Sequence, residues 1–305
     1  MEEYNNTHRA LLQVFMARGT LTYETTKPIL ASILTAADPS RETMPNDVTQ
    51  QDFTSYIHTL NNAISPFDLE IRSSIPQSPT LDPDTPAPDR TYALVNMTSD
   101  PITQLATTHS ADEIAFLKRV LDHMFESNTR KSEVFAILSR TALTLHKPPA
   151  TQEEARTSSS FTQKDAEKTL EALHDEGWLE RSQKGYYRLS ARALMELRNW
   201  LVETYNDDEE ERVRLCHGCR EIVIVGQRCA NWDCGVRVHD FCARNMLRAA
   251  GGQRCPGCKT AWTGETLVGE KAAKHYGRPS GVGQGRRSSG AVTNRVVDDD
   301  DEEDE

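Results

Sequence analysis

The sequence predicts an α+β protein in which two units, each of helices followed by a β-hairpin, precede a small cysteine-rich domain and a polar tail. Apolar residues recur at helical spacing in two long stretches, and short β-prone segments follow each stretch. All seven cysteines lie between residues 216 and 258. The expected units are residues 1–97, 98–206 and 207–265, followed by a disordered tail at 266–305.

The first unit is predicted to contain three helices and two strands. Its first helix carries Leu11 and Phe15, and its second lies within residues 21–34. The third has an apolar face formed by Phe53, Ile57, Leu60 and Ile64. Strands are predicted at 69–72 and 92–95, joined by a Pro-, Ser- and Asp-rich loop that is too polar to pack. Three helices and a two-stranded wing form a winged helix.

The second unit follows the same plan. Ser110 and Glu113 form a capping box before a helix with an apolar stripe, a second helix is expected through residues 134–138, and Thr162 caps a third that ends at Gly177. The stripe consists of Ile114, Leu117, Leu121 and Met124. Strands are predicted at 178–181 and 186–189, and a further helix with Leu194, Leu197 and Leu201 on one side leads to the acidic linker 207–211.

Eight residues of the cysteine-rich domain have the spacing of a two-zinc signature. Zinc takes four thiolate or imidazole ligands tetrahedrally, so four ligand pairs predict two closed structural sites without an open catalytic position. An odd number of cysteines and the absence of a secretory signal oppose a disulfide framework. The predicted ligands are Cys216, Cys219, Cys229, Cys234, His239, Cys242, Cys255 and Cys258.

The spacing also predicts how the ligands group. The loops after Cys219 and Cys242 are too long for one compact site, but they suit pairs that alternate between two ions. One zinc would then bind Cys216, Cys219, His239 and Cys242, and the other Cys229, Cys234, Cys255 and Cys258. This cross-brace resembles the RING and PHD finger families over about residues 214–263.

RING modules recruit ubiquitin-conjugating enzymes, whereas PHD fingers usually bind histone tails. Ligand order favours PHD slightly, but Gln253 stands where PHD fingers usually carry an aromatic residue. Pro256 and Trp262 resemble the second zinc loop of a RING, although Trp262 fits a core position equally well. The candidate docking residues for a conjugating enzyme are Gly218, Ile222, Pro256, Lys259 and Trp262.

Two of these candidates differ in what the resemblance implies. Gly218 departs from the RING pattern, since ligases usually have Ile, Leu or Val just before the second ligand. Lys259 occupies the position at which many ligases carry the basic residue that clamps ubiquitin. We therefore expect weak docking of a conjugating enzyme by the chain alone.

Composition and charge exclude several classes of function. The formal net charge is −11, and residues 47–64, which hold the third helix of the first unit, contain no Lys or Arg. In the second unit, acidic residues outnumber Lys164 and Lys168 between positions 161 and 176. Duplex DNA binding depends on phosphate contacts from Lys and Arg, so we expect the winged helices to contact protein instead. No apolar run is long enough to span a membrane, and the acidic start lacks the features of a signal peptide.

Four stretches carry a closer resemblance, at residues 92–97, 102–121, 191–205 and 255–262. Together with the order of the domains, they resemble the family of non-SMC element one, the RING-bearing subunit of the chromosome-maintenance complex built on the fifth and sixth SMC ATPases. The resemblance implies a nuclear location, a role in DNA repair and recombination, and ubiquitin ligase activity. It also implies two partners, a MAGE-type non-SMC element three that binds the winged helices and a kleisin-type non-SMC element four.

Two alternatives remain open. A zinc-stabilised interaction scaffold without ligase activity is favoured by Gly218. The four residues between Cys229 and Cys234, where relatives usually have two, are a second departure from the family and concern the local shape of the second site. A PHD-like histone reader would need a pocket for a lysine, and Trp232 and Asp233 are the candidates. As a ligase the chain would have no catalytic residue of its own. It would orient the thioester between ubiquitin and the conjugating enzyme for attack by a substrate lysine.

Overall fold

The computed structural model describes residues 3–273, apart from 78–87, 98–104, 106–107, 130–131, 149–160, 208–209 and 250–253. Most of the predicted disordered tail, residues 274–305, lies outside the described residues. So does the centre of the polar loop predicted between the strands of the first unit.

The first unit is a winged helix, as predicted. Its helices are α1 (Asn6–Arg18), α2 (Tyr23–Ala37) and α3 (Gln50–Ile64), and its strands are β1 (Thr20–Thr22), β2 (Leu69–Ser74) and β3 (Thr91–Asn96). The sheet is antiparallel in the order β1-β3-β2. Side chains that are 0% exposed, among them Phe15, Leu30, Phe53 and Leu60, fill the space between helices and sheet. We call β2, β3 and the loop between them the first wing.

The second helix of this unit begins within the predicted stretch 21–34 and extends past its end, to Ala37. Leu21 lies in β1, where it pairs with Tyr92, and the helix begins only at Tyr23. The Thr22 side chain accepts a hydrogen bond from the backbone amide of Thr25, which satisfies one of the free donors at the start of α2. The cap therefore separates strand from helix at this point.

The second unit is also a winged helix. Its elements are α4 (Ala111–Glu126), β4 (Ile137–Leu138), α5 (Ser139–Thr144), α6 (Gln163–Asp175), β5 (Leu179–Arg181) and β6 (Tyr186–Leu189). The antiparallel sheet has the order β4-β6-β5. Phe116, Leu121, Ile137 and Leu173 are buried in its core.

The prediction of a helix through residues 134–138 is wrong. Asn128 accepts a hydrogen bond from the backbone amide of Val134 at 2.6 Å, Phe135 has a φ of 45°, and Ile137 and Leu138 form β4. The helix α5 begins one residue later, because Ser139 donates its amide to Gly185 of the hairpin at 2.8 Å. Pairing with β6 overrides the helical spacing of the apolar residues here.

Two short helices connect the winged helices to the cysteine-rich domain. They are α7 (Ala191–Glu196) and α8 (Arg198–Tyr205), which bury the predicted Leu194, Leu197 and Leu201. Met195 of α7 packs with Ala93 and Val95 of the first wing, so this helix joins the two winged helices. Tyr205 ends α8 with its hydroxyl donating to Asp122 of α4 at 2.9 Å.

The cysteine-rich domain comprises the described residues from 210 to 273. Its elements are β7 (Gly226–Arg228), β8 (Arg237–Val238), α9 (Asp240–Ala249) and β9 (Leu267–Val268), with the sheet order β8-β7-β9. The boundary expected at residue 265 is too early, since Leu267 and Val268 pair with β7 and Glu270 is buried. The predicted disordered tail therefore does not begin at 266.

The core of the second winged helix continues into the cysteine-rich domain. One cluster of buried side chains includes Leu121 and Leu201 together with Ile222, Val225 and Trp262. The two units share this apolar core, because the short strands of the cysteine-rich domain bury little surface by themselves. None of the described helices combines the length and the hydropathy needed to cross a membrane.

Candidate metal centre

The eight predicted ligands form two clusters, each with four donor atoms. In the first cluster, the ligand atoms of Cys216, Cys219, His239 and Cys242 all lie within 4.8 Å of one another. Cys229, Cys234, Cys255 and Cys258 meet the same limit in the second. The pairs alternate along the chain between the clusters, which is the grouping that the spacing predicted.

Two of the four pairs share one backbone geometry. In the pair Cys216–Cys219, the Arg220 amide donates to the Cys216 carbonyl at 2.9 Å, and Arg220 has a φ of 64°. In the pair Cys255–Cys258, the Lys259 amide donates to the Cys255 carbonyl at 3.0 Å, and Lys259 also has a φ of 64°. These tight turns place both thiols of each pair on one side of the loop.

The distances within the clusters fit tetrahedral zinc. Sulfur ligands about 2.3 Å from zinc lie about 3.8 Å from each other in a tetrahedron. The Sγ atoms of Cys229 and Cys258 are 3.4 Å apart, and those of Cys234 and Cys255 are 3.7 Å apart. His239 Nδ1 lies 3.3 Å from Cys219 Sγ. Four donors complete each coordination shell, so neither cluster has a position for a substrate.

The orientation of His239 is fixed from outside the first cluster. Its Nδ1 faces the thiols, while its Nε2 donates a hydrogen bond to the Ile222 carbonyl at 3.1 Å. His239 is 2% exposed, and its ring stacks on that of Phe241 with 5.0 Å between the ring centroids. A backbone acceptor on the second ring nitrogen is the usual way in which a metal-binding histidine is oriented.

The surroundings of the cysteine thiols shift their pKa values in opposite directions. Hydrogen bonds from Cys219 and Cys242 lower the pKa of the Cys216 thiol far below its ordinary value. Hydrogen bonds from the Thr260 side chain and backbone lower the pKa of Cys258 to about 6. Burial raises the pKa of Cys229 to about 12. Each cluster thus contains at least one thiol that readily carries negative charge, which a bound cation would neutralise.

The structure separates the five candidate docking residues into two groups. Gly218 and Lys259 are exposed and Pro256 is partly exposed, whereas Ile222 is 2% and Trp262 is 3% exposed. Trp262 donates its indole N–H to Gln227 Oε1 at 2.9 Å. Ile222 and Trp262 are core residues in this structure, so the prediction that they face a conjugating enzyme requires correction. Their apolar side chains are buried in the core shared with the second winged helix.

Gly218 has little room for a larger residue. A Cβ atom at this position would lie 3.3 Å from Cys242 Cβ and 3.5 Å from Cys242 Sγ. The usual apolar residue before the second ligand would therefore crowd the first cluster unless Cys242 moved.

A buried ion network beside the clusters was missed by sequence reasoning. Glu133 of the second winged helix accepts hydrogen bonds from Arg237 Nε at 2.7 Å and from Arg228 Nη1 at 3.2 Å. Arg237 also donates to the carbonyl of the ligand Cys234 at 2.8 Å. The two arginine side chains are 1% and 3% exposed. The presence of arginines between ligand pairs was the available signal, but nothing in the sequence pointed to Glu133.

Known proteins resemble most of this chain. A family model described as "Nse1 non-SMC component of SMC5-6 complex" matches residues 8–197, and one described as "RING-like domain" matches residues 216–258. A Homo sapiens protein named "Non-structural maintenance of chromosomes element 1 homolog" is 25% identical over 258 residues, which covers 85% of this chain and 84% of the relative. A Schizosaccharomyces pombe protein named "Non-structural maintenance of chromosomes element 1" is 27% identical over 213 residues, or 70% of this chain and 78% of the relative.

A solved structure supports the same fold. A chain in the structure named "Nse1-Nse3-Nse4 complex" aligns with a TM-score of 0.65 and 22% sequence identity, covering 86% of this chain and 99% of that one. At this identity the similarity concerns the arrangement of helices and strands.

The ion network gives a stability prediction. Glu133→Ala leaves two buried arginines without their carboxylate, and breaking a buried pair in this way costs about 3–5 kcal/mol. We expect the urea concentration at the midpoint of unfolding to be lower in Glu133→Ala than in wild type. Glu133→Gln should have a midpoint between the two, because glutamine keeps the shape of the side chain but not its charge. Glu126→Ala, an exposed acid at the end of α4, is the control. A Glu133→Ala protein within about 0.5 kcal/mol of wild type would contradict the role of the network.

Proposed function

We propose that this chain, which belongs to the family of the Nse1 non-SMC component of the SMC5-6 complex, is a zinc-containing, RING-type ubiquitin ligase subunit of such a complex. The observation that carries the proposal is the pair of four-donor clusters in cross-brace order, fixed against two winged helices. On this proposal the chain acts in the nucleus, in DNA repair and recombination.

Each cluster would hold one zinc ion, and the ions would have a structural role. Cys216, Cys219, His239 and Cys242 would bind the first ion, and Cys229, Cys234, Cys255 and Cys258 the second. Bound zinc supplies charge neutralisation and cross-linking of loops, because its four protein ligands leave no coordination position for a reactant. The strands of this domain are only 2 or 3 residues long, so the loops depend on the ions for their shape.

As a ligase, the chain would act by orientation. The conjugating enzyme carries ubiquitin as a thioester, and holding both partners in a reactive geometry supplies the rate increase. The exposed candidates for this contact are Gly218, Pro256 and Lys259. Lys259 Nζ lies 3.2 Å from the Pro256 carbonyl, so the side chain crosses the loop beside the second cluster. Ile222 and Trp262 would support this surface from the core.

The winged helices would bind protein partners of the kinds in the solved complex. The resemblance implies a MAGE-type non-SMC element three and a kleisin-type non-SMC element four, and the similar solved chain comes from the "Nse1-Nse3-Nse4 complex". Large apolar residues are exposed on the first winged helix, with Phe67 at 73%, Met16 at 69% and Met44 at 56%. A protein partner that covered these side chains would bury their apolar surface, which favours association.

A scaffold without ligase activity is the second candidate. The burial of Ile222 and Trp262 and the crowded position of Gly218 favour it, because they reduce the apolar surface available for a conjugating enzyme. A histone reader has less support. Trp232 is 44% exposed, but the Arg228 guanidinium lies 4.4 Å from its ring centroid and covers one face that a lysine would use.

Zinc content is the first test. We expect two zinc ions per purified chain by elemental analysis, and loss of at least one in Cys216→Ser and in Cys258→Ser, since structural zinc contributes on the order of 10 kcal/mol to folding. His217→Ala should keep both ions, because His217 is exposed and belongs to neither cluster. Wild-type protein with one ion or none would refute the zinc assignment, and zinc loss in His217→Ala would refute the ligand set.

Ligase activity is tested by ubiquitin chain formation with a panel of conjugating enzymes. We expect weak activity of the chain alone and an increase of several-fold when a MAGE-type partner is bound to the winged helices, through a higher effective concentration of the conjugating enzyme. Lys259→Ala should lower activity without loss of zinc. Arg220→Ala is the matched control, since Arg220 occupies the equivalent turn of the first ligand pair with the same φ of 64°. If neither the partner nor Lys259→Ala changes activity, the scaffold hypothesis replaces the ligase.

The winged helices themselves are not expected to bind duplex DNA tightly. Helix α3 contains no Lys or Arg, and α6 has an acidic balance. Phosphate contacts dominate affinity for duplex DNA, so these helices lack the required charge. Fluorescence anisotropy at about 150 mM salt should show no nanomolar binding. Nanomolar affinity with a steep salt dependence would contradict this expectation.

A further inference from the structure

Gln77 of the first wing is buried inside the cysteine-rich domain. Gln77 is 7% exposed, and its side-chain amide makes three hydrogen bonds to the backbone of residues 222–225. Nε2 donates to the Ile222 carbonyl at 2.6 Å. Oε1 accepts from the amides of Ile224 at 2.9 Å and Val225 at 3.1 Å. The polar composition of the loop between β2 and β3 predicts that it does not pack, and for Gln77 that prediction is wrong.

The segment 222–225 needs these contacts. It connects the first ligand pair to β7, and its four apolar residues are between 1% and 4% exposed. Buried backbone donors without partners are costly, so an isolated segment of this kind would be unstable. Gln77 takes the place of a neighbouring strand, because its amide offers one donor and one acceptor in the same way as a peptide group.

The contact also reaches the first metal cluster. The Ile222 carbonyl that accepts from Gln77 is the one that accepts from His239 Nε2 at 3.1 Å. Through this carbonyl, Gln77 is connected to the ring whose Nδ1 faces the thiols of the first cluster. Groups that orient a ligating histidine affect metal affinity although they do not touch the metal.

The second cluster is supported from a different direction. Arg237 donates to the Cys234 carbonyl and is held by Glu133 of the second winged helix. Gln77 of the first winged helix reaches the first cluster through the Ile222 carbonyl, whereas Glu133 of the second reaches the Cys234 carbonyl through Arg237, whose own carbonyl also accepts from the His217 amide in the first ligand pair at 2.9 Å. A change at Gln77 should therefore affect the clusters unequally.

We propose that Gln77 is a positioning residue of the first metal site, so that the first wing forms part of the metal-binding structure of the cysteine-rich domain. This inference rests on the proposed function, in which both clusters hold zinc. A displacement of the first wing would loosen the first site while the second remains closed. The winged-helix surface and the first zinc site are then mechanically coupled, because the wing bonds directly to the loop behind His239.

The test measures metal release from the full-length chain. Zinc-loaded protein is mixed with excess chromogenic chelator, and the release of each ion is followed by absorbance. We expect Gln77→Ala to release one of its two ions about tenfold faster than wild type, which is the lower end of the effects of outer-shell groups on metal affinity. The other ion should leave at the wild-type rate.

Cobalt substitution identifies the ion. The first site has three sulfurs and one nitrogen as donors and the second has four sulfurs, so their cobalt absorption bands differ. The bands of the three-sulfur site should disappear first in Gln77→Ala. A merely destabilised protein would lose both sets of bands together.

Two further variants make the result decisive. Gln77→Glu keeps the size and the acceptor oxygen but places a second oxygen against the Ile222 carbonyl, so it should also release the first ion faster even if Gln77→Ala fails to fold. Gln51→Ala, an exposed glutamine on α3, should match wild type. Wild-type release of both ions from Gln77→Glu, or equal acceleration of both, overturns the inference and leaves the zinc assignment intact. Wild-type protein that contains no zinc overturns the proposed function as well.

Discussion

The carboxylate of Glu133, buried against Arg228 and Arg237, is the contact on which the arrangement of the domains depends. Two charged arginines in the cysteine-rich domain would be costly to bury without it, and the domain supplies no described acid that takes its place. Because the carboxylate comes from the second winged helix, docking supplies the partner that the two buried arginines of the cysteine-rich domain require. The backbone of Glu133 is also held in place, because its carbonyl accepts a hydrogen bond from the Gly269 amide at 2.7 Å.

Apolar contacts also join the cysteine-rich domain to the winged helices. The core of the second winged helix runs without a break into Ile222, Val225 and Trp262, and Gln77 reaches the same segment from the first wing. A domain with strands of 2 or 3 residues buries too little surface to be stable by itself. The winged helices that cover the domain therefore contribute to its stability, in addition to the zinc ions proposed for its two clusters. Ile222 and Trp262, which were expected to contact a conjugating enzyme, are buried in the core that the domain shares with the second winged helix.

A docked domain has consequences for the proposed activity. The exposed surface beside the second cluster, with Pro256 and Lys259, is held at a fixed orientation to the winged helices rather than at the end of a free linker. A partner on the winged helices would therefore set the position of a conjugating enzyme relative to the rest of the complex. Fixed geometry of this kind is what an orienting ligase requires. It suits a scaffold equally, and so the activity measurement decides between them.

Elements of the structure with local signals could be predicted from the amino-acid sequence. The eight ligands follow from pair spacing within 216–258, and the helices α3, α4 and α6 follow from apolar periodicity and capping residues. The helix predicted through residues 134–138 is absent because Ile137 and Leu138 pair with strand β6. That strand lies about fifty residues further along the chain. Helical spacing alone contains no information about that partner.

The contacts between the domains join residues that are far apart in the chain. Gln77 and Ile222 are separated by 145 residues, and Glu133 and Arg237 by 104. A polar residue in a polar loop has no sequence feature that marks it for burial, because its burial depends on acceptors and donors provided by another domain. The same reason explains Ile222 and Trp262, whose apolar side chains fit a docking surface or a core equally well until the winged helices cover them. Local chemistry fixed which atoms can bind metal, and long-range packing fixed which surfaces remain free.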